Sequence, residues 1–243
     1  MKHIVSFSGG KDSTAMLLMM AEKGMPIDEI VFCDTGMEFP AMYKHIAKVE
    51  AYIKRPITVI KPRKSFEYYL WQHQKVKGKH KGKRGYGWTG HKFRWCTKAL
   101  KVGPIKIHLA GKKHFMYLGI AYDEYTRLQR KQNQQEHYRF PLVDFKVAEA
   151  EALRYCYKKG FDWSGLYEKF RRVSCWCCPL QRIGELKTLY CDFPELWKEL
   201  KRLDKLSYRQ FKSHVSVEEL DKRFRGEAKL EAENGLFEVK RGK

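Results

Sequence analysis

The sequence predicts an α/β protein with a doubly wound, mostly parallel sheet and a helical C-terminal extension that carries a cysteine cluster. Three observations lead to this prediction. Short apolar segments alternate with helical patterns in the first half of the chain. Polar, glycine-containing turns follow several of these segments. From about residue 146 the strand signals fade while helical patterns continue. Strands that alternate with helices indicate βαβ units, and therefore a parallel sheet.

Four segments have the apolar composition of short buried strands: residues 3–7, 30–33, 57–60 and 115–120. Helical patterns separate the first three, over residues 14–23 and 41–54. Ligands of doubly wound sheets bind beyond the carboxyl ends of the strands. The polar turns at residues 8–13, at 34–36 and after 120 are therefore expected at one edge of the sheet.

We predict two parts, a nucleotide-binding α/β domain over residues 1–145 and a helical region over residues 146–243, which are able to pack as one domain. Helical patterns in the second part cover residues 148–159, 182–190, 195–206 and 217–225. The charged tail from residue 227 onward is predicted to be loose.

The chain is strongly basic, with 49 Lys and Arg against 28 Asp and Glu and a formal net charge of +21. Such a field attracts polyanions, so nucleic acid (tRNA or DNA) is the first expected partner; a merely solvated basic surface is the alternative. No apolar run approaches the roughly 20 residues that a membrane helix needs. With no signal-peptide pattern, the sequence predicts a soluble, cytoplasmic protein and no membrane partner. An oligomer is compatible with it.

Residues 75–94 form the one compositionally biased segment, in which lysine, arginine and glycine alternate without an acidic residue. A basic loop with interspersed aromatic rings suits phosphate contact and base stacking. The predicted nucleic-acid contacts are Lys79, Lys81, Lys83, Arg84 and Trp88. The alternative is a solvated loop without a specific role.

The string Ser8-Gly9-Gly10-Lys11-Asp12-Ser13 joins the first strand to the first helix. The glycines permit a tight turn, and backbone N–H groups at the helix start face an anion. The Lys11 amine and the Ser8 and Ser13 hydroxyls can bind phosphate oxygens. Asp12 suits either Mg²⁺ binding or bracing of the loop. The string matches neither the Walker A pattern nor the dinucleotide fingerprint.

This string resembles the PP-loop of the ATP pyrophosphatases. Further segments are similar to the phosphoadenosine phosphosulfate reductase-like branch of that superfamily: residues 32–40, 94–101, 119–127 and 140–142. The resemblance implies that ATP or an adenylyl sulfate binds at the loop and that Asp34 and Thr35 border the adenosine pocket. Gly119 belongs to a further ligand-side segment, and Arg127 faces phosphate or sulfate. The predicted catalytic residues are Lys11, Asp12 and Arg127.

Seven cysteines in a predicted reducing compartment disfavour a disulfide framework. The pair Cys175 and Cys178 has the spacing with which two thiolates reach one metal. The arrangement resembles adenylyl-sulfate reductases, which implies a [4Fe–4S] cluster on Cys96, Cys175 and Cys178. Thr97 stands where that family has a further cysteine.

The fourth cluster ligand stays open. Cys177 and Cys191 are candidates, and Cys191 is preferred because adjacent cysteines rarely share one cluster. Alternatively, the fourth iron is open, as in similar three-cysteine tRNA thiolation enzymes. Structural zinc and plain reduced thiols are the competing interpretations.

Three functions follow from the sequence. The preferred function is ATP-dependent adenylation of a nucleic acid followed by sulfur transfer, which the cluster assists. A sulfur-donor or electron-donor protein is a further expected partner. The alternative is sulfonucleotide reduction, which is disfavoured because no cysteine follows Cys191. The third is a non-catalytic nucleotide- or nucleic-acid-binding subunit.

Overall fold

The computed structural model describes residues 1–77, 81–173 and 175–241, with side chains described to residue 230. The chain forms two compact units, each made of two separate segments. Unit 1 comprises Met1–Arg63 and Thr97–Cys175, and unit 2 comprises Lys64–Cys96 and Trp176–Lys243. This division differs from the predicted boundary at residue 145, since residues 146–175 fold with the sheet and residues 64–96 fold with the C-terminal helices.

Unit 1 contains a five-stranded, entirely parallel sheet with the order β3-β2-β1-β4-β5. Its strands are β1 (Lys2–Ser6), β2 (Glu29–Cys33), β3 (Ile57–Ile60), β4 (His114–Leu118) and β5 (Tyr138–Arg139). The chain builds outward from β1 to β3 and then returns to the other side of β1. Loops after β1 and β4 therefore diverge at a switch point, where sheets of this kind form a ligand crevice.

The α-helices of the described residues are α1 (Lys11–Glu22), α2 (Pro40–Ile53), α3 (Trp95–Thr97), α4 (Gly103–His108), α5 (Tyr125–Leu128), α6 (Pro141–Asp144), α7 (Glu149–Lys158), α8 (Leu166–Lys169), α9 (Ile183–Asp192), α10 (Pro194–Leu206) and α11 (Val217–Arg241). Residues 68–72 and 98–102 form π-helical turns, and residues 131–133 and 163–165 form 3-10 turns. None of the described helices is long and apolar enough to cross a membrane.

The core of unit 1 lies on the sheet, with Ile4, Val31, Ile60 and Met116 at most 9% exposed. Burying one such side chain contributes about 1.5–3 kcal/mol relative to leaving it exposed. Helix α7 packs against α1 and buries Ala152 and Cys156 completely. This contact explains why residues after 146 belong to the sheet unit.

Unit 2 is built around aromatic side chains contributed by both of its segments. Trp88 packs edge-on against Phe211 with ring centroids 4.9 Å apart. In the C-terminal helices, Trp197 packs with Phe224 at 5.6 Å and donates a hydrogen bond from Nε1 to Asp221 at 2.8 Å. Side chains of both segments therefore contribute to the core of unit 2.

The predicted α/β class, the parallel sheet and the helical C-terminal part are confirmed. Strand β5 was not predicted, because two residues carry no periodicity. The tail that was predicted to be loose continues the backbone of helix α11 through Arg241.

Candidate nucleotide-binding site

The predicted phosphate loop connects β1 to α1 at the switch point of the sheet. Gly9 adopts a φ of +77°, and a Cβ atom there would lie 2.5 Å from Met42 Sδ. Only glycine fits this combination of left-handed backbone and close packing. Gly10 is the N-cap of α1. The chain thus turns sharply from the strand into a helix whose N-terminus carries a partial positive charge.

Two serine hydroxyls brace this loop across its ends. Ser8 Oγ lies 3.0 Å from Ser13 Oγ, and the Ser8 N–H donates to Ser13 Oγ at 3.2 Å. Ser13 Oγ also donates to the Gly10 carbonyl at 3.0 Å. The hydroxyls predicted to bind phosphate therefore share one small cage, and Ser8 is exposed to solvent.

Lys11 is held by two carboxylates beside the loop. Its Nζ lies 2.7 Å from Asp12 Oδ1 and 2.9 Å from Glu149 Oε1, at the start of α7. Burial opposes the charge of the amine, but Asp12 and then Glu149 outweigh it and raise the Lys11 pKa. The amine therefore stays cationic, and Asp12 engages it in a way that fits loop bracing.

Aromatic side chains from residues 163–167 close over the loop. Trp163 Nε1 donates to the Gly9 carbonyl at 2.7 Å, and the Tyr167 hydroxyl accepts the Lys11 N–H at 2.8 Å. The two rings pack edge-on at 4.8 Å. Tyr167 thus occupies a donor at the helix N-terminus that an anion would otherwise use.

His45 supports this wall from helix α2. Its Nε2 lies 3.0 Å from Thr14 Oγ1, and its ring stacks on Trp163 with centroids 4.3 Å apart. The ring is 4% exposed. Burial first, and then the charge of Lys48, lower the His45 pKa to about 3.

Stability is therefore expected to fall on acidification. The folded state keeps His45 neutral, whereas an unfolded histidine protonates near pH 6.5, so the unfolded state binds more protons between pH 6.5 and about 3. Urea unfolding should show a loss of about 1–3 kcal/mol between pH 7 and pH 4 from this group. His45→Gln should reduce that pH dependence, and an unchanged slope in the variant would contradict the assignment.

The segment after β4 approaches the loop directly. A Cβ atom on Gly119 would lie 2.7 Å from the Ser13 backbone nitrogen. Arg127, predicted to face phosphate, pairs with Glu124 at 3.0 Å. Burial raises the pKa of Asp12, and the charge of Lys11 opposes this effect. The negative charges of Glu149 and Glu124 raise the pKa further. The structure therefore brings Gly119 against the loop, while the Arg127 guanidinium is held by a carboxylate of its own segment.

The turn after β2 forms a compact polar knot. The Thr35 hydroxyl donates to Glu38, whose oxygens lie 2.9 and 2.8 Å away, and Glu38 is 7% exposed. Asp34 Oδ1 accepts hydrogen bonds from the Gly36 N–H and the Tyr43 hydroxyl. Asp34 and Thr35, the predicted border of the adenosine pocket, thus lie at the carboxyl edge of the sheet.

Cys175 reaches this same turn. Its Sγ lies 3.9 Å from Thr35 Oγ1 and 4.0 Å from Glu38 Oε1, and Lys101 Nζ lies 3.6 Å from the same Glu38 oxygen. A thiol, a carboxylate and an ammonium therefore meet at the end of β2.

The other predicted metal ligands belong to unit 2. Cys96, Cys178 and Cys191 form no disulfide with any described cysteine, and Cys191 is exposed on α9. Lys212 Nζ donates to the Pro179 and Gln181 carbonyls, which fixes the turn after Cys178. Among the side chains that the structure describes, no three of His, Cys, Asp or Glu are grouped so that they could hold a metal ion.

Two further cysteines, Cys33 and Cys156, are buried in unit 1. Burial raises the pKa of the Cys33 thiol to about 11 and that of Cys156 to about 12. Both stay protonated, so they act as core residues.

The basic segment requires one correction. Trp88 was predicted to contact nucleic acid, but it is 1% exposed and its Nε1 donates to Asp204 Oδ1 at 2.7 Å. A buried ring offers no face to a base. Lys81, Lys83 and Arg84 are exposed, whereas Lys79 lies outside the described residues.

Sequence reasoning missed Trp163, Tyr167 and Glu149, which surround the loop. They lie more than a hundred residues downstream and match no motif. Glu38 was within a recognised segment, and its position three residues after Thr35 was the available signal.

Comparison with known proteins gives relatives of undefined activity. The chain is 29% identical over 206 residues to an uncharacterized protein of Methanocaldococcus jannaschii, covering 81% of this chain and 40% of the relative. A second protein of that organism is 27% identical, with 80% and 45% covered. A nin region protein of Escherichia phage lambda is 28% identical, with 54% and 52% covered. The chain thus spans less than two thirds of each relative's length.

A similar solved structure is the phosphoadenylyl-sulfate reductase from Candida auris in a phosphate complex. It is 17% identical, with a TM-score of 0.49, and the match covers 71% of this chain and 81% of that one. A family model, the phosphoadenosine phosphosulfate reductase domain, matches residues 2–181, which include the phosphate loop, the turn after β2 and the segment after β4. The chain therefore belongs to the phosphoadenosine phosphosulfate reductase domain family.

Proposed function

We propose that this protein is a PP-loop enzyme that uses ATP to adenylate a nucleic acid and so prepares it for sulfur transfer. The observation that carries the proposal is the Ser8–Ser13 loop, a glycine turn at the start of α1 and at the switch point of the sheet. Backbone N–H groups and a lysine at such a position suit the phosphates of a nucleotide.

In the proposed reaction an oxygen of the nucleic acid attacks the α-phosphorus of ATP. Pyrophosphate leaves, and an adenylated acceptor forms. A sulfur nucleophile, supplied by a donor protein or small molecule, then displaces AMP. The chain positions the phosphates and neutralises their charge through Lys11 and the loop. Mg²⁺ would bind together with the nucleotide. Arg127 would contact a phosphate of the nucleotide after releasing its ion pair with Glu124.

The acceptor is proposed to be tRNA or DNA because of the net charge of +21 and the basic residues 75–94. Such a charge draws a polyanionic acceptor to a cytoplasmic enzyme.

The experiment is an assay of ATP cleavage with purified full-length protein, in the presence of tRNA, single-stranded DNA or no acceptor. Acceptor-dependent formation of AMP and pyrophosphate is expected. Formation of ADP and phosphate, or no turnover with any acceptor, would contradict the proposal. ATP binding without turnover would favour a non-catalytic nucleotide-binding subunit.

A [4Fe–4S] cluster on Cys96, Cys175, Cys178 and Cys191 stays a separate prediction, and no step above depends on it. Anaerobic purification with iron, sulfide and zinc analysis tests it. The cluster hypothesis predicts about four irons and four sulfides per chain. Zinc in place of iron would indicate a structural site, and the absence of both metals would contradict any metal at these cysteines.

Sulfonucleotide reduction is the second candidate, favoured by the Cys175 thiol at the turn after β2. A thiolate there would attack the sulfur of an adenylyl sulfate, release the nucleotide and keep the sulfonate on cysteine; a second thiol would then release sulfite. Sulfite release from an adenylyl sulfate, lost in Cys175→Ser, would support this candidate over adenylation.

A further inference from the structure

The basic segment of unit 2 carries a concentrated charge that its own carboxylates do not balance. Residues 64–96 contain nine Lys and Arg and one acidic residue, Glu67. That carboxylate already pairs with Arg202 at 2.5 Å. Lys81, Lys83 and Arg84 are exposed to solvent and therefore present positive charge to a polyanion.

These cations stand on a hairpin that is fixed by backbone hydrogen bonds. The Lys75 N–H donates to the Lys83 carbonyl at 3.1 Å, and the Gly82 N–H donates to the Lys75 carbonyl at 2.8 Å. The hairpin leads into Gly85, where a Cβ atom would lie 2.2 Å from the Leu70 carbonyl oxygen. The hairpin base is thus anchored closely to the body of unit 2.

Residues 207–211 pack against this hairpin and the turn that follows it. The Lys75 amine donates to the Tyr208 hydroxyl, and that hydroxyl donates to the Tyr86 carbonyl at 3.1 Å. Ser207 Oγ accepts the Trp88 N–H at 3.3 Å. Two distant stretches of sequence therefore form one continuous surface.

Two aromatic rings of this surface are open to solvent, with Phe93 38% and Tyr208 42% exposed. Cations stand over both of them. Arg209 lies 5.5 Å from the Phe93 ring centroid, and Lys83 lies 5.5 Å from that of Tyr208. Exposed rings beside phosphate-binding cations are the arrangement with which proteins bind unstacked bases.

We propose that residues 81–84, Phe93 and residues 207–211 form a binding face for single-stranded nucleic acid. Phe93 and Tyr208 stack on bases, and Lys81, Lys83 and Arg84 contact phosphates. A duplex keeps its base faces stacked within the helix, so these rings favour an unpaired strand. This inference rests on the proposed function and deepens it by naming an unpaired segment as the part of the acceptor that is recognised.

The test is fluorescence anisotropy of full-length protein with a labelled oligonucleotide of about 20 nucleotides, longer than one typical binding site. Two comparisons use the same sequence as a duplex and heparin as a competing polyanion. The single strand should bind tighter than the duplex. Phe93→Ala should weaken single-strand binding about 10-fold. Phe93→Leu, which keeps the apolar volume, should weaken it similarly while preserving the melting temperature.

The phosphate contacts are tested by the salt dependence of the same binding. The double variant Lys81→Gln, Lys83→Gln should lower the slope of log K against log salt by about 1.4, two contacts at about 0.7 each. Lys112→Gln, Lys113→Gln makes the same charge change on unit 1 and should leave the slope unchanged. Tyr52→Ala is the matched control for stacking, because it removes an exposed aromatic ring of unit 1 instead of unit 2.

Equal or tighter binding of the duplex, or an unaltered affinity in Phe93→Ala, would overturn the inference. Competition by heparin as effective as that by the single strand would do the same. ATP binding is measured separately, without oligonucleotide. A protein that binds the oligonucleotide but not ATP would count against the proposed function alone. Failure of the proposed function and failure of this inference are therefore distinguishable.

Discussion

Lys11→Ala is expected to weaken ATP binding by about 10- to 100-fold, since hydrogen bonds to charged groups contribute about 1.5–3 kcal/mol. The substitution removes a cation at the start of α1 that the carboxylates of Asp12 and Glu149 keep protonated. It also leaves the partly buried Asp12 without its lysine, which adds negative charge where phosphate would approach. Isothermal titration of the purified variant measures the effect.

Lys23→Ala is the matched control, because it removes the same side chain at the opposite end of the same helix. Its affinity for ATP should equal that of the unmodified protein. If Lys11→Ala also binds ATP normally, the nucleotide does not use this loop, and the proposed function loses its main support.

Trp88→Ala is expected to lower the free energy of unfolding by about 3–5 kcal/mol, the usual cost of deleting a large buried aromatic side chain. Trp88 is 1% exposed, packs against Phe211 and donates to Asp204. Its loss opens a cavity and removes the hydrogen bond to Asp204 Oδ1, while Asp204 Oδ2 still accepts the Val217 N–H. Urea denaturation followed by circular dichroism measures the change.

Trp88→Phe helps to separate the two contributions, since it keeps a six-membered ring, leaves a smaller cavity than alanine and loses the hydrogen bond to Asp204. It should cost about 1–3 kcal/mol. Unchanged stability in Trp88→Ala, together with lost oligonucleotide binding, would restore the original prediction that Trp88 contacts nucleic acid.

The sequence was sufficient to predict the loop because its chemistry is local. Six consecutive residues supply the turn, the helix start and the hydroxyls, and the alternation of strands and helices places them at the carboxyl edge. The turn at Asp34 and the glycine after β4 were predictable for the same reason. Each of these features depends on residues close together in the chain.

The aromatic wall and the buried tryptophan depend on distant partners. Trp163 bonds to Gly9, 154 residues earlier, and Trp88 bonds to Asp204, 116 residues later. Local composition around Trp88 resembles an exposed basic loop, so the pattern favoured solvent exposure. Only the tertiary structure shows which rings are buried and which, like Phe93, stay open.

Because unit 2 is made of two separate segments of the chain, it is not expected to fold from a single continuous fragment. The family match ends at residue 181, whereas Asp204, Ser207 and Phe211, which contact Trp88, lie beyond it. A fragment trimmed to the matched residues would keep Trp88 and lose the side chains that cover it. Unit 2 therefore cannot be moved to another protein as one continuous stretch of sequence. Its first segment lies between the two segments of unit 1, and its second segment follows them. Any change that alters residues 64–96 must be matched by residues in the C-terminal helices, so the two segments are expected to diverge together.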